Sequence, residues 1–364
     1  LETGHEDRAW HVAWNPTKTL LASCSADKTV RLYSYASSST ETSTDLKFQP
    51  ITSIPTGHAK TVRSVAWAPS GQTLATASFD SNIGIWEKEA DEWECISTLE
   101  GHETECKCIA YSASGTLLAS CSRDKTVWIW EVHPDGDFET ISVLMEHTQD
   151  VKCVAWHPIE EILASASYDD TIKLYIEDPS DDWYCFATLS GHSSTVWSLA
   201  WAPGTSSYLA SSSDDKTVRV WKRIAEHKWE CVLVLGGHER SVYSVSWSKA
   251  PKSVRRSTEG CLGWLASAGG DGAILVWELS VRLCPINSFI STQRTFQEPT
   301  PENTSSDKSN ILPPRHKLIA SIPSAHGVHD VNSVVWCPRE GYEDLLATTG
   351  DDGYTRVWRI VPAA

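Results

Sequence analysis

The sequence predicts an all-β protein, a seven-bladed β-propeller built from four-stranded antiparallel blades, and three observations predict it. First, one nine-residue string ending in an aromatic is written seven times: SADKTVRLY (to Tyr33), SFDSNIGIW (Trp86), SRDKTVWIW (Trp130), SYDDTIKLY (Tyr175), SDDKTVRVW (Trp221), GGDGAILVW (Trp277) and GDDGYTRVW (Trp358). Second, an aspartate stands six residues before each closing aromatic (Asp27, Asp80, Asp124, Asp169, Asp215, Asp271, Asp352), and a hydroxyl stands four residues before each aspartate (Ser23, Thr76, Ser120, Ser165, Ser211, Ser267, Thr348). Third, a histidine lies upstream of each unit: His5, His58, His102, His147, His192, His238 and His326. A period of about 45 residues, with Gly-His early and Trp late, marks propeller blades.

Physical chemistry accounts for the residue types. The aspartate occupies a tight turn, followed by Lys, Asp, Gly or Ser as turn chemistry favours. The histidine precedes the first strand, the hydroxyl lies on the second and the aromatic closes the third. A buried carboxylate is costly unless paired, and imidazole, hydroxyl and indole hydrogens are expected to supply its donors together. In the second and third blades this structural clamp is His58, Thr76, Asp80, Trp86 and His102, Ser120, Asp124, Trp130. Tyr33 and Tyr175 replace tryptophan but still offer a donor. Ser, His and Asp resemble a hydrolytic triad, yet seven equivalent copies point to a scaffold.

In chain order, the blades are expected at about 5–55, 58–99, 102–144, 147–189, 192–235, 238–323 and 326–360 of one propeller. A whole strand precedes Gly-His in later repeats, as in WECISTL (93–99), whereas only Leu1-Glu-Thr precedes Gly4-His5, so the last blade's closing strand reads as truncated. Met145 is the only methionine, so residue 1 need not be the native start. The Ser/Thr-rich stretch 36–44 has too little apolar content to fold. Inner strands VRSVAW (62–67), CKCIAY (106–111), VKCVAW (151–156) and VWSLAW (196–201) show little polar alternation, which fits sheets covered on both faces. The sixth blade carries a basic loop, KAPKSVRRSTEG (249–260), and a long excursion at 280–316 whose Pro, Ser, Thr and Asn content reads as disorder.

At 364 residues the chain can bury a large core, and the repeat overrides the two-domain expectation from length. Its 47 acidic and 31 basic residues give a net charge of −16, which argues against nucleic acid as a direct partner. Eleven irregularly spaced cysteines suit a reducing compartment, which makes the Asn303-Thr-Ser acceptor a chance match. No apolar run approaches the ~18 residues of a membrane span, and no signal peptide is visible.

Blade scaffolding is consumed by packing, so specificity must lie on faces and loops. The residue before each turn aspartate should project at one mouth: Ala26, Phe79, Arg123, Tyr168, Asp214, Gly270 and Asp351. The residue early in each inner strand should sit nearby: Trp10, Arg63, Lys107, Lys152, Trp197, Tyr243 and Asn332. Together Arg123, Lys107, Arg63, Lys152, Phe79, Tyr168, Trp197, Tyr243 and Trp10 form a basic and aromatic patch on an acidic protein. Aromatics and arginine are the side chains enriched at binding hot spots. Cys106 and Cys108 are expected on one face of a strand, with Cys153 matching Cys108 in the next blade. CxxC-type ligand turns are absent, and buried cysteine as a small apolar residue is the commoner case, so no metal or cofactor is expected. Phosphate loops, zinc-helix motifs and nucleophile elbows are absent too, so no catalytic site is expected.

Over nearly its whole length the chain resembles the WD-repeat propeller subunits of the cytosolic iron–sulfur protein assembly (CIA) targeting complex. The stretches that carry the resemblance are SVAWAP with SFDSNIGIWEKE (64–89), GHETECKCIAYSASGTLLASCSRDKTVWIWE (101–131), LMEHTQDVKCVAWHP (144–158) and SASYDDTIKLYIEDPSDDWYCFATLSGHSSTVWSLAW (165–201). The resemblance implies a non-catalytic scaffold, a monomeric ring within a hetero-complex, cytoplasmic and also nuclear. It would dock other targeting-complex subunits, the upstream iron–sulfur carrier and client apoproteins without binding the cluster itself. In that family the arginine of SRDK is a functional surface residue, which maps onto Arg123. The 280–316 insertion, the 249–260 loop and the missing first strand depart from the family pattern. A generic WD-repeat adaptor, such as a ubiquitin-ligase substrate receptor, is the alternative, although no repeat ends in Trp-Asp. An enzyme with its site in the channel is disfavoured for want of a unique nucleophile or metal constellation.

Overall fold

A computed structural model of the chain describes residues 1, 4–37, 46–204, 207–281 and 313–361. Six four-stranded antiparallel sheets and one three-stranded sheet make seven blades, each a meander in which consecutive strands pair. The inner strands are Ala9–Trp14, Val62–Trp67, Cys106–Tyr111, Val151–Trp156, Val196–Trp201, Val242–Ser248 and Val331–Trp336. Each packs against the next around the ring, and the seventh returns to the first. Among the described residues Thr355–Arg359 is the outermost strand of the last blade, and the amino group of Leu1 donates to the Thr355 carbonyl at 2.8 Å.

The core lies between blades. Ala75, Ile83 and Ile85 of the second blade pack on Cys106, Ile109 and Leu118 of the third, and equivalent clusters repeat around the ring. This explains the apolar inner strands: both faces of every sheet are covered, and burying one Leu or Ile contributes about 1.5–3 kcal/mol. Tryptophans at inner-strand ends add a staple that the repeat spacing did not reveal. Trp67 donates its indole N–H to Ala13 O, Trp156 to Ala110 O and Trp201 to Ala155 O, each in the preceding blade. Trp14 donates to Val335 O at 3.0 Å, which ties the first blade to the seventh.

Several boundaries differ from the sequence reading. Ala36 and Ser37 continue the strand Thr29–Ser37, and its partner starts at Leu46, because that hairpin extends its ladder outward. The 38–44 part of the Ser/Thr-rich stretch lies outside the described residues, as do 282–312 of the long excursion and the Asn303 acceptor. The return strand starts at Arg315. The basic 249–260 loop contains a helix, Lys252–Ser257, which starts after Pro251 without a side-chain capping hydrogen bond. Lys252 and Arg255 pair with Glu340 and Glu343 of the seventh blade, which gives this segment a docked conformation. Among the described residues no helix is long and apolar enough to cross a membrane.

Candidate functional site

The turn after each second strand is built alike. The residue following each turn aspartate adopts a left-handed conformation: Lys28, Ser81, Lys125, Asp170, Lys216, Gly272 and Gly353. That requirement explains the Gly and short polar choices there. The aspartate closes the turn on itself; Asp124 Oδ1 accepts from the Thr126 amide at 2.9 Å and from its hydroxyl.

Behind the turn runs a hydrogen-bond relay. In the third blade Trp130 Nε1–H donates to Ser120 Oγ at 3.0 Å, Ser120 lies 2.9 Å from His102 Nε2, and His102 Nδ1 lies 2.8 Å from Asp124 Oδ2. The second blade repeats it with Trp86, Thr76, His58 and Asp80. In all seven blades the histidine bridges hydroxyl and carboxylate. The tautomer follows from the network: Nδ1–H faces the carboxylate, so Nε2 accepts from the hydroxyl. This corrects the expectation that hydroxyl and indole donate to the carboxylate directly. They act through the imidazole, and the other donors of Asp124 are the Thr126 hydroxyl of its own turn and backbone amides such as that of Glu103. Burial alone would raise the Asp124 carboxyl; the His102 and Thr126 hydrogen bonds outweigh it and hold it well below the usual range.

The mouth residues project for a specific reason. In every blade the register between first and second strands skips one residue, and the skipped residues are Trp10, Arg63, Lys107, Lys152, Trp197, Tyr243 and Asn332. Each is a β-bulge, a device that re-aims a side chain out of the pleat. The residue before each turn aspartate is tied beside it through its amide, as in Phe79 N to Thr61 O, Arg123 N to Glu105 O and Tyr168 N to Asp150 O. The bulge also overturns the placement of two thiols. With Lys107 extruded, strand alternation breaks, and Cys106 faces the second blade while Cys108 faces the fourth.

Cations and aromatics pair at the mouth, across blade boundaries except where Lys152 meets Tyr168 of its own blade. The Arg63 guanidinium lies 4.8 Å from the Trp10 ring, Lys107 Nζ 4.1 Å from Phe79, and Lys152 Nζ 5.2 Å from Tyr168 and 5.0 Å from Trp197. Trp197 and Tyr243 meet edge-on at 5.4 Å, and Trp197 donates to Asp214 Oδ1. Carboxylates lie among them. Glu105 pairs with Lys107 at 3.1 Å and with Arg123 at 3.3 Å, and Asp150 pairs with Lys152 at 3.2 Å. Burial alone would raise the Glu105 carboxyl, but Lys107 and Arg123 hold it below its ordinary value. Arg123 is therefore anchored rather than free, although its side chain remains 59% exposed. Tyr168 is 53% exposed. Opposite the cations, Tyr243 stands near Asp330 and Asp214; burial first, then these carboxylates, push its phenol up. Asn332 donates to Asp351 Oδ1 at 2.8 Å. The mouth is thus cationic and aromatic over the second to fourth blades and acidic over the fifth to seventh. The spacings Glu105-x-Lys107 and Asp150-x-Lys152 were the available signal for the missed carboxylates. Among the described residues, Glu131, His133 and Glu139 are the one set of three metal-capable side chains whose ligand atoms all lie within 4.8 Å of one another, with both carboxylates exposed, on the third blade away from the mouth.

A closed ring of seven clamped blades with a polar mouth defines a β-propeller of the WD-repeat class. The comparison with known families agrees: the WD40 description "WD domain, G-beta repeat" matches residues 1–34, 48–87, 93–131, 138–175, 183–222, 229–278 and 316–359. The chain belongs to that family, and within it to the group of cytosolic iron–sulfur protein assembly protein 1. A Cryptococcus neoformans relative named "Probable cytosolic iron-sulfur protein assembly protein 1" is 40% identical over 443 residues, covering 98% of this chain and 97% of its own. Shorter matches are 44% identical to a Mycosarcoma maydis protein of the same name, over 27% of this chain and 29% of that one, and 49% identical to the Arabidopsis thaliana "Protein CIA1", over 27% and 28%. The aligned segments thus span under a third of the length of these two relatives.

Proposed function

We propose that this protein is a non-catalytic scaffold of cytosolic iron–sulfur protein assembly. It docks assembly factors, the upstream cluster carrier and client apoproteins for cluster delivery, in the cytoplasm and the nucleus. The observation that carries this reading is the near full-length similarity to a relative whose name states that role. The mouth supports a docking role, because bulges turn six of these side chains out of the pleat and the adjoining turns leave Arg123 and Tyr168 more than half exposed. On this reading Arg123, Lys107, Arg63, Lys152, Phe79, Tyr168, Trp197, Tyr243 and Trp10 form the partner surface, with Arg123 at its exposed centre. No Ser–His–Asp set is singled out, since the same relay recurs in every blade.

The test is affinity co-purification from cytosol with mass spectrometry, comparing wild type with Arg123→Glu. Recovery of iron–sulfur assembly factors by wild type and their loss with the variant is the expected result. Recovery of ubiquitin-ligase subunits instead would replace this reading with a generic adaptor. Equal recovery by both proteins would move the partner surface away from Arg123.

A further inference from the structure

Below the mouth, three thiols lie in a row that neither the clamp nor the mouth uses. Cys108 and Cys153, both partly accessible, line the central channel together with His11, around a cavity of about 460 Å³. The two sulfurs converge on one acceptor: Cys108 Sγ and Cys153 Sγ each lie 3.7 Å from the Val154 carbonyl oxygen. Cys121, fully buried, stands directly opposite Cys108 in the neighbouring strand. Directly opposed residues have Cα atoms roughly 4.5–5.5 Å apart, inside the roughly 4.4–6.8 Å window of a disulfide.

Above the thiols stands Arg63. Among the described residues no carboxylate pairs with its guanidinium, whose field falls on Cys24, Cys108, Cys153 and Cys121. A nearby cation and thiol donors both favour a thiolate. The Cys121 and Cys153 thiols can donate to Cys108 when it ionises, which lowers Cys108 well below an ordinary thiol; burial and then Cys108 push Cys121 up, and Cys108 and then burial push Cys153 up. His11, half-buried on the same channel, is disfavoured as a cation by desolvation, and its Nδ1 lies 3.1 Å from the Val65 carbonyl oxygen.

We propose that Cys108 is an oxidant-reactive thiol of the central channel, converted by hydrogen peroxide to a sulfenic acid and then resolved by Cys121 or Cys153 into a disulfide. In the first step the Cys108 thiolate attacks one peroxide oxygen. The O–O bond breaks, and the departing hydroxide takes a proton and leaves as water. In the second step the neighbouring thiol loses its proton and attacks the Cys108 sulfur. The S–O bond breaks, and hydroxide again leaves as water. Two thiols and one peroxide become one disulfide and two waters, and the sulfurs together lose two electrons. This inference is independent of the scaffold role.

The test is stepwise oxidation of the folded full-length chain with hydrogen peroxide, followed by blocking of free thiols and non-reducing tryptic mapping. Cleavage after Lys107 and Arg123 yields one peptide holding both Cys108 and Cys121, while Cys153 opens another. The expected first product is either that peptide lacking two hydrogens or its cross-link to the Cys153 peptide. With both resolving thiols replaced (Cys121→Ala, Cys153→Ala), dimedone should trap a sulfenic acid at Cys108. Arg63→Gln should slow Cys108 oxidation by about tenfold, the effect of roughly one unit in thiol acidity. The wild-type map needs no variant to fold. Oxidation of the exposed Cys95 and Cys231 while Cys108 stays reduced would overturn the proposal, as would oxidation of Cys108 at an unchanged rate in Arg63→Gln.

Discussion

The guanidinium of Arg123 lies 3.3 Å from both carboxylate oxygens of Glu105, a residue that also holds Lys107 at 3.1 Å. One carboxylate therefore fixes two cations at the mouth, one from the turn and one from the bulge. The pair is exposed, so it orients the arginine more than it stabilises the fold.

That arrangement separates binding from stability. Arg123→Gln is expected to shift stability by no more than about 0.5 kcal/mol, because an exposed ion pair contributes little. Removing a hot-spot arginine typically costs about 2 kcal/mol or more of binding, roughly thirtyfold in affinity. Glu105→Gln releases both cations, so its binding to an acidic partner should grow more salt-sensitive than that of wild type. Paired melting curves and affinity titrations at two salt concentrations check all three. A large drop in melting temperature for Arg123→Gln would make the residue structural.

The relay behind the turn predicts the opposite pattern. Ser120→Ala removes the one group that both accepts from Trp130 and faces His102 Nε2. It leaves two polar atoms without partners in a fully buried site, at a cost of about 1–3 kcal/mol each. Urea denaturation should show an earlier midpoint, whereas partner affinity at the mouth should hold under native conditions. A midpoint equal to that of wild type would mean that water or rearrangement satisfies both atoms.

Phe79 offers a test of the mouth's pairing. Lys107 sits 4.1 Å from its ring, and burial, opposed by Glu105, lowers the lysine's basicity, with Lys152 and Arg63 adding to the effect. Replacing the ring by leucine keeps apolar bulk but removes the π-face, which should cost about 0.5–2 kcal/mol of cation–π attraction. Amine labelling followed by peptide mapping is expected to show Lys107 reacting at a changed rate in Phe79→Leu, with Lys18 unchanged as a control. Identical Lys107 kinetics would show that the ring does not act on the ammonium.

How far the sequence revealed this site depends on the separation of the interacting groups. The blade relay was legible because Ser120, Asp124 and Trp130 fall at fixed short spacings, and one copy checks another. The bulges were not, because extrusion of Lys107 is decided by pairing between Cys121 and Cys108 and between Ser122 and Cys106, not by any local composition. Simple alternation therefore put Cys106 and Cys108 on one face when they flank opposite blades. The stacking of Arg63 on Trp10 was hidden for a related reason. The mouth positions were readable, but which neighbour each cation would face depends on how adjacent blades rotate against each other.

The last prediction concerns acid. Asp27, Asp80, Asp124, Asp169, Asp215 and Asp271 are all held below the ordinary aspartate value; in each case burial opposes the shift and histidine with turn donors overcomes it. Asp271 is held at about 2, against about 3.9 for an unfolded aspartate. Between those values the unfolded chain binds more protons than the folded one, so stability must fall as pH falls. The contribution is fully present above about pH 5 and is lost as pH drops through the folded value. His11 and His326 act in the same direction from a higher pH. Burial lowers both, so the folded state resists their protonation, and stability begins to decline below about pH 6.5. Denaturation midpoints should therefore decline gently from about pH 6.5 and steeply below about pH 5. Asp271→Asn isolates one blade's share, worth about 1–2 kcal/mol after screening. Its deficit relative to wild type should be full at pH 7 and should narrow as pH approaches 3, where the native aspartate also begins to lose its charge advantage. A deficit independent of pH would assign the clamp's contribution to packing and neutral hydrogen bonds rather than to the carboxylate charge.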